Sequence, residues 1–414
     1  MANESKAPKK TKTIGGFFGV DLDGVGKACE LGMNPAVAYM VLACFSDGTN
    51  RHTKASVKSV TKYTGISEKY AKQAIAALID ARLVGLMPGD STRPNYEIFG
   101  APPAPPPPRT YGYRKAKLAP GEQESFESVG KGLVPLNNHA TAAARRAVKK
   151  GWLVENADGF AVREAPPPPP PPDRKMVWLP NELVKGIGSA TPPIRSVCET
   201  SDPLVLRMLV DLYRLQTLAS DGGIDRDALY MPFNSECLGT IHQYNVWAFV
   251  PAPKTHCSVE LVQLYRSKDP PRGAWDRITP LENIKLIQWY GQLFAAPDGA
   301  LLHPLGPLYP DKEKHRENDA SWPEFQIGMA ARKAGHALAR HVPKEAPKGS
   351  WIIPVLSHIA NPTMIGIARL RYRPRISDTA KWYGTLKGKQ EGWLKDFGEV
   401  SQMALGMEKK AAIA

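Results

Sequence analysis

The sequence predicts a mainly α protein with small β-hairpins (an α+β chain built of repeated small modules), followed by a larger α+β region towards the C-terminus. Three observations carry this. Apolar residues recur at helical spacing, and short apolar runs flanking turn residues follow them. Two proline tracts, at 102–108 and 166–172, cut the chain of 414 residues into three. The composition, 43% hydrophobic and 23% charged, is that of a globular protein whose core closes without metal or disulfide.

The first part, 14–100, follows a lysine-bearing tail at 1–13 that reads as disordered. Asn34-Pro35 combines a cap with a first-turn proline, and Val37, Met40, Val41, Cys44 and Phe45 continue at helical spacing to Asp47-Gly48. Ser56 caps a short helix over 57–64, which Gly65 stops. Ser67 caps a longer helix, from Glu68 to about Arg82. Its apolar side is Ala71, Ala74, Ile75, Leu78 and Ile79; its other side carries Lys69, Lys72, Gln73, Ala76 and Asp80. Leu83-Val84 and 96–99 read as strands about a loop containing Pro88, Gly89, Asp90 and Pro94.

A short helix, a glycine turn and a longer amphipathic helix is the helix-turn-helix arrangement. With the hairpin after it, the stretch SVTKYTGISEKYAKQAIAALIDARLVGL resembles the winged helix-turn-helix DNA-binding family over 34–99. The resemblance implies a recognition helix offering Ser67, Lys69, Tyr70, Lys72 and Gln73 to double-stranded DNA. Gln73 suits adenine; Lys69 and Lys72 suit guanine or phosphate. Thr53, Lys54, Lys58, Lys62 and, in the wing, Arg93 are backbone candidates. The other reading of such a module is protein interaction.

Each proline tract (linkers 101–109 and 166–173) reads as a polyproline II spacer of roughly 20 Å, or as a ligand for a partner domain. Between them, 110–165 holds an expected helix near 139–150 bearing Arg145, Arg146, Lys149 and Lys150, then a hairpin over 152–162. This resembles the last helix and wing of a second, partial winged helix (126–163), making the chain a tandem of such modules. A helix capping a hairpin, with a solvated basic side, is the alternative.

In the C-terminal region, 174–414, an amphipathic helix opens at Pro203; this region has room for a further winged helix. Val246–Val250 reads as a strand, 281–294 as helix or strand, 321–341 as a helix and 351–376 as β-rich. Arg369, Arg371, Arg373 and Arg375 alternate with Leu370, Tyr372, Pro374 and Ile376. On a strand this sets four guanidinium groups on one face, to be met by phosphates or by acidic side chains; edge protection is the third reading.

The charge points the same way as the resemblance. Lys plus Arg number 54 against 40 acids, net +14, concentrated outside 201–300, where acids are in slight excess. Such a distribution suits a polyanion. Five scattered cysteines, with no C-x-x-C, suit a reducing compartment. Asp21 and Asp23 sit in a stretch like the first motif of haloacid-dehalogenase phosphatases, but the rest of that pattern does not follow. Cys237, His242, His256 and Cys257 match no zinc-finger spacing. The expectation is therefore a non-enzymatic DNA-binding protein without cofactor or metal. It is expected in the cytoplasm, associated with the nucleoid, with no membrane contact. Its C-terminal region is free to form homo-oligomers or to hold a protein partner. Transcriptional regulator is the leading use. Replication initiator or DNA organiser of a phage or mobile element, and protein-binding subunit of a larger complex, are the others.

Overall fold

A computed structural model describes residues 16–87, 95–99, 153–156, 159–162, 175–188, 190–268, 271–309, 322–373 and 377–413, with backbone alone at 153–162, 267–272 and 410–413. The chain divides into two units, 102–174 and the remainder. Of the smaller unit, the described residues are an antiparallel hairpin, Leu153–Asn156 with Gly159–Val162. The helix expected near 139–150, with Arg145, Arg146, Lys149 and Lys150, lies outside the described residues.

The larger unit begins with strand β1 (Phe17–Asp21) and helix α1 (Leu22–Glu30). Asp21 caps α1, its Oδ2 accepting from Gly24 N at 2.8 Å, so this aspartate sits in a helix cap. Helix α2 (Met33–Cys44) is buried along all of 35–44, which makes it the central rod of this half and not a surface helix with one apolar stripe. It starts after Gly32, two residues before the expected Asn34 cap. Strand β2 (His52–Thr53), helices α3 (Val57–Thr64) and α4 (Glu68–Asp80), and strands β3 (Val84–Leu86) and β4 (Tyr96–Ile98) complete the half. The sheet order is β2-β4-β3, all antiparallel.

After the smaller unit, whose hairpin strands are β5 and β6, strand β7 (Met176–Pro180) pairs antiparallel with β1. Short helices α5 (Glu182–Lys185) and α6 (Pro193–Glu199) lead to α7 (Pro203–Arg214). A six-strand antiparallel sheet follows. Its strands are β8 (Leu229–Ile241), β9 (Tyr244–Pro251), β13 (Ile287–Phe294), β14 (Leu301–Pro307), β15 (Trp351–Leu356) and β16 (Thr363–Leu370), in the order β14-β13-β16-β8-β9-β15; β10 (His256–Cys257) pairs off the path with β8. Helices α8 (Val259–Leu264) and α9 (Trp275–Asn283) flank a small hairpin of β11 (Ser267–Lys268) and β12 (Pro271–Arg272). Helix α10 (Trp322–Ala339) joins β14 to β15, and α11 (Ser377–Ile413) ends the chain.

The sheet curls because α10 lies against both of its edge strands. A Cβ at Gly328 would overlap the carbonyl oxygen of Leu305 on β14, and one at Gly335 that of Ile352 on β15. Two glycines two turns apart thus let one helix touch both edges of the sheet.

The mainly α expectation is corrected: the described residues are 45% helix and 26% strand, with this large antiparallel sheet in the C-terminal region. The physical reason is visible in β13. Its sequence, IQWYGQLF, is buried at six of eight positions and lies between two strands, so it shows no alternation to mark it as β.

Candidate nucleic-acid interface

The turn between α3 and α4 is built by backbone chemistry. Ser56 N donates to Ser59 Oγ at 3.2 Å at the start of α3. Gly65 ends α3 at φ 79°, a left-handed conformation that glycine adopts without strain, and its N–H closes on Thr61 O. Ser67 then caps α4, accepting from Tyr70 N. One side of α4, with Ala71, Ala74, Ile75 and Leu78, is buried against α2 and α3. The outward side carries Lys69, Lys72, Gln73, Ala76 and Asp80, and Tyr70 is 52% exposed.

Lys54, Lys58 and Lys62 are exposed beside it, and Thr53 is buried. Five exposed lysines therefore lie on α3, α4 and the strand end before them. Lys62 Nζ rests 5.1 Å from the Tyr63 ring centroid. Lys72 pairs with Glu68 at 2.8 Å, and this contact holds the Glu68 carboxyl below its usual range. An exposed pair of this kind contributes little to stability and opens readily to a stronger anion. Arg93 and the loop 88–94 lie outside the described residues.

One basic residue at this place was not legible in the sequence. Arg195, from α6, lies at the turn, with its Nε 2.8 Å from where a Gly65 Cβ would stand. It is exposed and also faces Glu199 at 3.4 Å. Only the tertiary packing of α6 on α3 brings it there.

The arginine series at 369–375 is corrected. Strand β16 stops at Leu370, so of the four only Arg369 lies on a strand. Arg369 is 1% exposed and holds two carboxylates: Nη2 donates to Asp221 Oδ2 at 2.6 Å and Nη1 to Glu324 Oε2 at 2.6 Å. Its guanidinium also lies 4.3 Å from the Tyr290 ring centroid. Burial pushes the Asp221 carboxyl up, but the Arg369 charge and hydrogen bond, the Gly223 N–H and the Arg373 charge together outweigh it and leave the group below its usual value. Burial opposes the charge on Arg369, and its two carboxylates more than restore it. This arginine is closed to phosphate. Arg371 is exposed but lies beyond the strand, over the Tyr372 ring. Arg373 is half-buried and donates to Asp221 O and Tyr383 OH. Arg375 lies outside the described residues.

Among the described residues no group of three His, Cys, Asp or Glu is placed to hold a metal ion, and no helix is long and apolar enough to cross a membrane. Cys237 and Cys257 are free thiols, and His256 stacks on Tyr230. No protein-family model matches the chain, and neither a curated protein nor a solved structure matches it.

Proposed function

We propose that the chain binds double-stranded DNA by setting α4 in the major groove, as a winged helix does, and that it acts as a regulator of transcription. The observation that carries the reading is the outward face of α4, with Lys69, Tyr70, Lys72 and Gln73 exposed around a capped N-terminus and three further lysines beside it. The order helix, strand, helix, helix, strand, strand, with the last strand between the other two, supports it, because that is the order a winged helix takes. In this reading Gln73 reads a base edge, Lys69 and Lys72 read guanine or hold phosphate, and Lys54, Lys58, Lys62 and Arg195 hold the backbone.

The test is an electrophoretic shift of the intact chain on random and native-locus duplexes. The expected result is a shift at low salt that weakens as salt rises, with site preference lost when Lys69, Lys72 and Gln73 are replaced by alanine. Absence of any shift at low salt overturns the proposal.

A further inference from the structure

The C-terminal half repeats the N-terminal one, element by element. Helices α2 and α7 are both twelve residues long. Each is followed by a single bridged pair, Ser46 with Thr53 and Gln216 with Ile224. Helices α4 and α9 leave through the same turn: Leu83 N donates to Leu78 O, and Leu286 N to Leu281 O. A basic residue takes the left-handed position in each turn, Arg82 at φ 57° and Lys285 at φ 61°.

The sheets share a register. Glu97 stands between Gly85 and His52, and Arg369 stands between Gln288 and Gly223. Aligned this way, 71–85 and 274–288 agree at fourteen of fifteen positions in being buried, half-buried or exposed. The second half differs by insertion. Strands β8, β9 and β10 follow the bridged pair, the β11–β12 hairpin replaces the three-residue turn between the helices, and β14, α10 and β15 precede the central strand β16.

The halves also meet as twofold mates. Equivalent strands β1 and β7 pair antiparallel. Helix α1 packs on α2 and on α7; helix α6 packs on α7 and on α2. Reciprocal contacts of this kind are what a twofold axis produces.

Their outward faces diverge. Counting from the shared serine caps, Ser56 and Ser258, Lys58 becomes Glu260 and Lys62 becomes Leu264. From the shared turn, Gln73 becomes Asp276. Leu264 is exposed where the first half has Lys62, and Val259 and Val262 are exposed where it has the half-buried Val57 and the buried Val60. Glu260 faces Arg214 at 3.5 Å, and Asp276 accepts from Gly273 N. A phosphate placed as on the first half would meet carboxylates and apolar side chains.

We infer that the chain is an internal pseudo-dimer of one module and that it holds a single duplex, on the N-terminal copy alone; this rests on the DNA-binding reading above. The C-terminal copy keeps the scaffold and has exchanged its polyanion face for the large sheet. One chain then occupies one half-site, not an inverted pair, although its fold is twofold.

The test is a fluorescence-anisotropy titration with a short labelled random-sequence duplex, each variant first checked for native circular dichroism. The intact chain is expected to bind one duplex. Lys58→Ala/Lys62→Ala/Gln73→Ala is expected to weaken binding about tenfold or more. Glu260→Ala/Thr279→Ala/Asn283→Ala, at exposed positions of α8 and α9, is expected to leave it unchanged. Glu260→Lys/Leu264→Lys/Asp276→Gln, which grafts the first face onto the second copy, is expected to raise the stoichiometry to two. No binding by the intact chain sinks the DNA reading itself. Binding by the intact chain with two duplexes bound, with loss in the Glu260/Thr279/Asn283 variant, or with no gain in the graft, overturns this inference alone.

Discussion

The two halves place a charged residue at the same point of the same three-strand frame and treat it differently. In the N-terminal half this is Glu97, half-buried on a small sheet. In the C-terminal half it is Arg369, enclosed between Asp221 and Glu324, with Gln292 also donating to Asp221 at 2.8 Å. Glu324 comes from α10 and Asp221 from the loop after α7, so the ion triad forms only once α10 has been added to the frame. The same position is half-buried in the smaller frame and lies in the core of the larger one. The N-terminal half stayed small and kept its lysines in the open.

Breaking the triad is the largest way to separate the halves. Arg369→Leu leaves two buried carboxylates unpaired and is expected to cost about 3–5 kcal/mol in urea unfolding. Glu97→Ala, at the same register, is expected to stay within about 0.5 kcal/mol. Equal losses would contradict the contrast.

Leu78→Ala and Leu281→Ala probe what the halves share. Both leucines are fully buried below the turn that ends α4 or α9, and each truncation is expected to cost about 2–5 kcal/mol. If Leu281→Ala were neutral, α9 would not be the counterpart of α4.

Acid separates the halves again. Burial between Trp393 and Phe397 pushes His303 on β14 down to about 4. Its folded value lies below the unfolded one, so the unfolded chain binds the extra proton. Stability is full above pH 6.5 and falls as pH drops towards about 4, by about 3 kcal/mol at most. His303→Leu should flatten that part of the curve; an unchanged curve would remove His303 as its source.

The smallest effect lies in the turns. Arg82→Gly and Lys285→Gly each relieve a non-glycine residue at positive φ, and each is expected to stabilise by about 1 kcal/mol or less. Unlike signs would show that the turns are not equivalent.

Where local chemistry decides structure, the sequence was readable. Ser56, Gly65 and Ser67 mark where α3 and α4 begin and α3 stops, and the apolar stripe of α4 sets its lysines outward. The expected Asn34 cap was close, at two residues. What escaped was long-range. β1 finds β7 across the whole smaller unit, and nothing in FFGVD names its partner. Arg195 reaches the α3–α4 turn by packing alone. Helix α11, 37 residues long, carries Gly384, Gly388, Gly392, Gly398 and Gly406, which lower helix propensity and hid it. The arginine alternation at 369–375 was a real pattern, but the strand ends after the first of its members. The match between the halves is one of register and burial, not of residue type: Arg277 stands where Ala74 does.

DNA binding by this chain rests most on the lysines of the N-terminal half. The direct measurement is the slope of log Kd against log salt concentration for a duplex, taken for the intact chain and for Lys58→Ala/Lys62→Ala/Lys69→Ala/Lys72→Ala. With Lys54 and Arg195 included, six phosphate contacts give a slope of magnitude about 5, and the variant should fall to about 2. An intact chain whose binding is insensitive to salt, or a variant that keeps the full slope, would contradict it.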